Sequence, residues 1–196
     1  MIIGITGPTG AGKTTALNCL KEAGFNVFDC DAIYHRLLND SAELNEAILR
    51  AFPGAATDGC VDRKKLAAIV FSDDEQLLRL NGISHRAVKQ EVLRLISLLP
   101  SGADAAIDAV ELIDGGLGEL CDVTLAVLAA KETRIHRIMR RDSIDEQRAR
   151  MRVEAQKSDD YYIANCSRVL YNNFESPEEF GKLCADLIRQ LKEEYK

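Results

Sequence analysis

Eight residues near the start of the chain, Gly7-Pro-Thr-Gly-Ala-Gly-Lys-Thr14, hold glycines, a lysine and a hydroxyl in the spacing G-x-x-x-x-G-K-[ST]. A loop of this composition turns tightly enough for successive backbone N–H groups to converge on one anion, and a helix starting behind it adds its partial positive charge. A triphosphate is the guest that fits such a cradle. Gly7, Gly10 and Gly12 let the backbone approach phosphate oxygens without a Cβ in the way, Lys13 can reach the β- and γ-phosphates, and Thr14 can ligate magnesium through its hydroxyl. The plainer alternative, a glycine-rich turn that fits the pattern by chance, is opposed by its context. Ile2, Ile3 and Ile5 read as a buried strand before the loop, and Ala16, Leu17, Leu20 and Ala23 repeat at helical spacing after it until Gly24.

Other candidates stand where strands should end. Asp29 and Asp31 follow an apolar run at 25–28, and in open parallel sheets ligands bind at that edge. Asp31 is the candidate base; the alternative is that both carboxylates cap a helix starting near Ala32, the better reading for Asp29. Asp108, at the end of a third strand, matches the acidic partner of magnesium in phosphate-loop proteins, or is a cap or a partner for Lys13. Arg63, with Lys64 and Lys65, opposes the dipole of a short helix, which fits either a ligand contact or a solvated cluster. His85 interrupts an apolar stripe and is either a satisfied half-buried histidine or a donor to a substrate phosphate; His35 and His136 read as surface residues. Asn172-Asn173 follow the last strand, where an adenine could sit.

Residues 131–157 carry nine Lys or Arg against five Asp or Glu, in a chain with a net charge of −6. Arg134, Arg137 and Arg141 share a helix face at i, i+3, i+7, and Ser143 with Glu146 reads as a capping box where a second helix begins. Such a hinged basic hairpin is either an exposed pair with solvated charges or, as we expect, a lid that closes over transferring phosphates.

The elements needed to position these groups are legible in outline. Apolar runs at 1–6, 25–28, 103–108, 123–129 and 168–171 read as strands, the fourth buried on both faces. Between the second and third the pattern is almost entirely helical, with Ser41 and Ser72 as N-caps, Glu75 completing a box with Ser72, a turn at Asp58-Gly59, a helix over 62–71 and a long apolar stripe over 77–99. Ser176-Pro177, with Glu179, starts a final packing helix. At 196 residues this is one domain with insertions. The acidic balance of 25 basic against 31 acidic residues argues against a nucleic-acid coat or an anionic-membrane binder. Six scattered cysteines (19, 30, 60, 121, 166, 184) read as reduced, mostly buried residues rather than a disulfide framework or zinc site. Without a membrane span or a secretory leader, the cytoplasm is the expected location.

The ordered set resembles the dephospho-CoA kinase family over nearly the whole length: Gly4-Ile-Thr-Gly7 through Gly12-Lys-Thr-Thr15, Asp29-Cys-Asp31, Asp58-Gly59 with Asp62-Arg63 and Phe71, Leu80-Asn81 with His85, Cys121-Asp122, the arginine hairpin ending at Gln156, and Val169-Leu170-Tyr171-Asn172. The resemblance implies an α/β fold of the P-loop NTPase, nucleotide-kinase-like type: three layers, with a five-stranded parallel sheet flanked by helices. It divides the chain into a core (1–32, 101–132, 157–196), a helical acceptor-binding insertion (33–100) and a basic lid (133–156). It implies transfer of the γ-phosphoryl group of ATP to the ribose 3′-hydroxyl of dephospho-CoA, with Mg2+. Lys13, Asp31, Arg137 and Arg141 would be catalytic. Gly10, Ala11, Gly12, Lys13, Thr14, Thr15 and Asn172 would bind ATP, Asp31, Arg63 and His85 the acceptor, and Thr14 and Asp108 the metal. The chain departs from the family pattern at Arg86, where a proline is usual after the histidine, at Val110 for a proline and Asp114 for a glutamate after Asp108, and at Cys166-Ser167 for an Ala-Asp pair. A related nucleoside or nucleotide kinase and a silent ATP-binding regulator are the alternatives; no N-K-x-D guanine motif is present.

Overall fold

The computed structural model describes residues 1–195. In chain order its elements are β1 (Ile2–Thr6), α1 (Lys13–Glu22), β2 (Asn26–Asp29), α2 (Cys30–Asp40), α3 (Ala42–Ala51), β3 (Ala56–Thr57), β4 (Cys60–Val61), α4 (Arg63–Val70), α5 (Asp74–Ser97), β5 (Ala105–Asp108), β6 (Val123–Leu128), α6 (Lys131–Asp142), α7 (Glu146–Glu154), α8 (Asp159–Asn165), β7 (Arg168–Tyr171) and α9 (Pro177–Glu194). They form two compact units, Met1–Phe28 with the chain from Pro100 onward, and Asp29–Leu99.

The first unit is built on a five-stranded sheet ordered β2-β5-β1-β6-β7, in which β1 runs parallel to β5 and β6, and β6 parallel to β7. β-Branched and aliphatic runs too apolar to face water on either side make such strands, and helices must cover both faces. Ile3 and Ile5 of β1 and Leu125 and Val127 of β6 pack with Ala16, Leu17 and Leu20 of α1 and Phe180, Ile188 and Leu191 of α9. Ala126 and Leu128 face the other way, onto Tyr162 of α8. Each fully buried Leu, Ile or Phe contributes about 1.5–3 kcal/mol, so this three-layer packing fixes the sheet firmly. Because β1 is flanked by β5 on one side and β6 on the other, the strand order reverses at β1, and the crevice beyond the carboxyl end of such a switch point is where ligands bind.

The second unit folds around Leu44, Ile48, Phe52, Ala55, Leu66, Val70 and Leu80. It begins at Asp29 rather than at residue 33, because Asp29 caps α2 by accepting from the Ala32 amide (2.9 Å) and so goes with that helix. Ser41 caps α3 as expected. Ser72 does not cap α5: its Oγ bonds back to the Ala68 and Ile69 carbonyls, and the neighbouring Asp73 takes the Glu75 and Gln76 amides. The expected Asp58-Gly59 turn, with φ of 50 and 79, closes a two-residue antiparallel hairpin of β3 and β4 inside a stretch whose sequence pattern otherwise reads as helical. All six cysteines are free thiols, but only Cys30 and Cys184 are buried and Cys60 is exposed, so "mostly buried" overstated them.

Candidate active site

β1 ends at Thr6, and the chain passes through Gly7–Gly12 into α1, with Gly12 in a left-handed conformation (φ 107) as the helix N-cap. Every carbonyl of this loop is held by a donor of the protein. Gly7 O accepts from Lys13 Nζ (2.6 Å), Pro8 O from the Ala11 amide (3.3 Å) and Thr9 O from Arg134 Nε (3.1 Å). Gly10 O accepts from Arg137 Nη1 (3.3 Å), Ala11 O from Arg137 Nη1 (3.3 Å) and Asn172 Nδ2 (2.8 Å), and Gly12 O from the Thr15 amide (3.1 Å). In a trans peptide the C=O and the following N–H point in opposite directions, so holding the carbonyls of Thr9 and Ala11 turns the amides of Gly10 and Gly12 away from those donors. Among the described residues nothing accepts the amides of Gly10, Gly12 and Thr14. Three orphan donors at a helix N-terminus suit an anion.

Two arginines beneath the loop strengthen it. Arg134 is only 5% exposed, and both its partners, Thr9 O and Gln156 Oε1 (2.9 Å), are neutral. Arg137 is half-buried, and its four acceptors (Gly10 O, Ala11 O, Asn172 Oδ1 and Phe174 O) are neutral too. Burial pushes both guanidinium groups below their usual range, partly opposed at Arg134 by Asp159 and Tyr162. A partly desolvated cation with no carboxylate bonded to it is costly by itself and favours an anion nearby. Arg141, by contrast, is paired with Asp142 (2.7 Å), whose hydrogen bond raises it further, and reaches Thr9 Oγ1 at 3.4 Å.

Of the expected site residues, the structure brings Gly10 to Thr15, Arg137, Arg141 and Asn172 together around the loop. Asn172 is 4% exposed and its amide is committed to Ala11 O and Arg137, so it braces the loop. Arg137 likewise holds the loop from its carbonyl side. Thr14 is exposed in the first turn of α1, and Asp108, half-buried, ends β5 in register with Ile5 of β1. Asp31, Arg63 and His85 belong to the second unit. Asp31 is exposed in the first turn of α2; Arg63 donates to Asn39 Oδ1 (2.7 Å) and His35 O (3.5 Å) on the stripe i+4 and i+8 from Asp31; His85 is half-buried on α5. Ser143 does not N-cap α7: with φ 53 it is the C-cap of α6, and Asp145 caps α7 through the Arg148 amide (2.8 Å). Spacing alone missed two residues. Arg134 stood in the basic row without a role of its own, and Gln156, which accepts from the Thr9 amide at 2.8 Å, gave no signal beyond its place at the hairpin's end.

The departures are accommodated locally. α5 runs unbroken through Arg86. Val110 O accepts from Thr6 Oγ1 (2.9 Å), Asp114 takes the Tyr161 hydroxyl and Lys157 (2.9 Å), and Ser167 exchanges hydrogen bonds with Thr124, accepting its amide at 3.0 Å.

A phosphate loop at the switch point of a parallel sheet, followed by a basic helical hairpin, defines a small α/β kinase of the P-loop class. The dephospho-CoA kinase family model matches residues 1–178, and a dephospho-CoA kinase from Fusobacterium nucleatum is 34% identical over 187 residues, covering 93% of this chain and 95% of that protein. The chain belongs to the dephospho-CoA kinase family. Among solved structures it is similar to TT1252 from Thermus thermophilus (31% identity, TM-score 0.77, covering 96% of this chain and 97% of that one). It shares its fold with the dephospho-CoA kinase from Campylobacter jejuni (21% identity, TM-score 0.70, 100% and 98% covered).

Proposed function

We propose that this protein transfers the γ-phosphoryl group of ATP to the ribose 3′-hydroxyl of dephospho-CoA, giving coenzyme A and ADP. The observation that carries this reading is the loop whose carbonyls are all held by donors of the protein and whose Gly10, Gly12 and Thr14 amides are left for phosphate oxygens, in a chain of this family. The acceptor oxygen attacks the γ-phosphorus, the bond to the β,γ-bridging oxygen breaks, and the hydroxyl proton passes to Asp31. Lys13 and the charge of Arg137 and Arg141 oppose the negative charge that spreads over the transferring oxygens. Arg63 and His85 hold the acceptor, so that binding aligns the hydroxyl rather than activating it covalently.

Thr14 and Asp108 supply the hard oxygen donors that suit Mg2+ and would hold it. When bound, the ion would supply positive charge beside the phosphates. Small-molecule substrates, without nucleic acid or membrane, and a cytoplasmic place belong to the same reading; among the described residues no helix is long and apolar enough to cross a membrane. The test is a coupled assay with ATP and dephospho-CoA, followed by identification of the product. We expect ADP release matched by a 3′-phosphorylated product, and at most weak turnover with free nucleosides. ADP formation only with a nucleoside, or none with any acceptor, would refute the assignment.

A further inference from the structure

Thr9 differs from the residues that follow it in the loop, because both its backbone groups are clamped by side chains. Its amide donates to Gln156 Oε1 (2.8 Å), its carbonyl accepts from Arg134 Nε (3.1 Å), and Arg134 Nη2 donates to the same Gln156 oxygen (2.9 Å). The triangle is closed and partly buried, with both lone pairs of one amide oxygen occupied. Its two side chains come from the two roots of the basic hairpin: Arg134 from the first turn of α6, Gln156 from just beyond α7. Lys157, the next residue, is fixed in turn by Asp114 (2.9 Å), so the segment that presents Gln156 is held from behind.

We infer that Gln156 is a positioning residue for the phosphate loop. Its oxygen holds the plane of the Pro8–Thr9 peptide, whose carbonyl meets the Ala11 amide (3.3 Å), and it orients Arg134 to hold the next plane, which aims the Gly10 amide inward. Without that oxygen, two consecutive peptide planes at the loop's entrance are free to rotate, and ATP must order them on binding. An uncharged acceptor has a second consequence. A glutamate here would satisfy the same two donors but neutralise Arg134, whereas glutamine orients the guanidinium and leaves its charge to act on phosphates. The inference rests on the reading that the loop holds the phosphates of ATP.

Because the loop grips phosphates in the ground state and the transition state alike, losing its order weakens binding in both, which raises KM without lowering kcat. The test compares the wild type with Gln156→Met, which keeps length and packing but lacks a good acceptor, and Gln156→Glu. For Gln156→Met we expect KM and Kd for ATP to rise roughly tenfold, with kcat and the KM of the acceptor nearly unchanged. Amide exchange by NMR should show Thr9 protected in the wild type before ATP is added, while Gly10 and Gly12 exchange quickly; protection persists in Gln156→Glu and is lost in Gln156→Met. A Gln156→Met enzyme with unaltered ATP affinity, or one that loses kcat alone, overturns the inference. So does rapid exchange of Thr9 in the wild type, a measurement that needs no variant to fold. Failure of the wild type to bind ATP at all overturns the proposed function instead.

Discussion

Gly12 lies so close to Asn172 that a Cβ would stand 2.2 Å from Nδ2, and its φ of 107 is one that other residues rarely adopt. Neither problem is relieved easily, since Asn172 is buried and bonded to both Ala11 and Arg137. Gly12→Ala should therefore destabilise the fold by about 2–4 kcal/mol, from the strained backbone and the overpacking together. It should also abolish measurable ATP binding, with melting and calorimetric titration as the checks; ATP affinity within a few-fold of wild type would show that the loop tolerates displacement of Asn172. Lys13 and Asp31 are separable in the same way. Lys13→Ala removes a fixed charge beside the phosphates and should cost several orders of magnitude in turnover. Asp31→Asn should reduce kcat by about 10²–10⁴ while ATP affinity holds, because Asp31 is assigned to the acceptor's proton and not to the nucleotide. If ATP affinity collapsed in Asp31→Asn with turnover per bound ATP preserved, Asp31 would be structural.

At the scale of elements, the sequence foretold strands and helices better than their ends or their partners. Ser72 and Ser143 have the right types for N-caps, but an aspartate one or two residues later, Asp73 or Asp145, takes the free amides; both types suit the position, and spacing cannot rank them. The hairpin of β3 and β4 has two residues a side, too few to show a period. The loop itself was plain from local pattern, yet the side chains that hold it, the donors Arg134, Arg137 and Asn172 and the acceptor Gln156, lie 125 to 161 residues away. Such contacts follow from tertiary packing, and no motif encodes them. Another long-range tie carries a pH signature. Asp104, just before β5, accepts from the N-terminal ammonium (3.1 Å) and pairs with Lys192 of α9 (3.1 Å). Burial pushes its carboxyl up, but the hydrogen bonds and charges of Lys192 and the N-terminus together outweigh burial and hold it below its usual value. A depressed carboxylate stabilises the fold above its unfolded pKa, near 4, and loses that contribution as pH falls through the lower folded value. Asp104→Asn should thus lower the melting midpoint at pH 7 by about 3–6 °C, from about 1–2 kcal/mol, and the difference from wild type should shrink steadily below about pH 4. A gap that stayed constant down to pH 2 would locate its origin in packing.

Over the whole molecule, a net charge of −6 repels a polyanionic substrate, so binding depends on where the cations are left without partners. In the basic hairpin most are neutralised at the surface: Lys131 by Glu154, Arg150 by Glu132 and Glu146, Arg152 by Asp142, Arg148 by Asp145. These exposed pairs are worth little each. Among the described residues the hairpin cations that make no salt bridge are Arg134 and Arg137, beneath the loop, and the exposed Arg140. The local surplus is thus concentrated where phosphates would arrive, and their arrival should stabilise the protein as a whole. A ligand at a hundred times its Kd adds about 2.7 kcal/mol, which for a chain of this size is a rise of roughly 5–10 °C in the melting midpoint. With ATP and Mg2+ we expect that rise in the wild type and in Asp31→Asn, accompanied by slowed exchange of the Gly10, Gly12 and Thr14 amides, and none of it in Gly12→Ala. A rise of equal size in Gly12→Ala, or one without protection of those three amides, would place the nucleotide somewhere other than this loop.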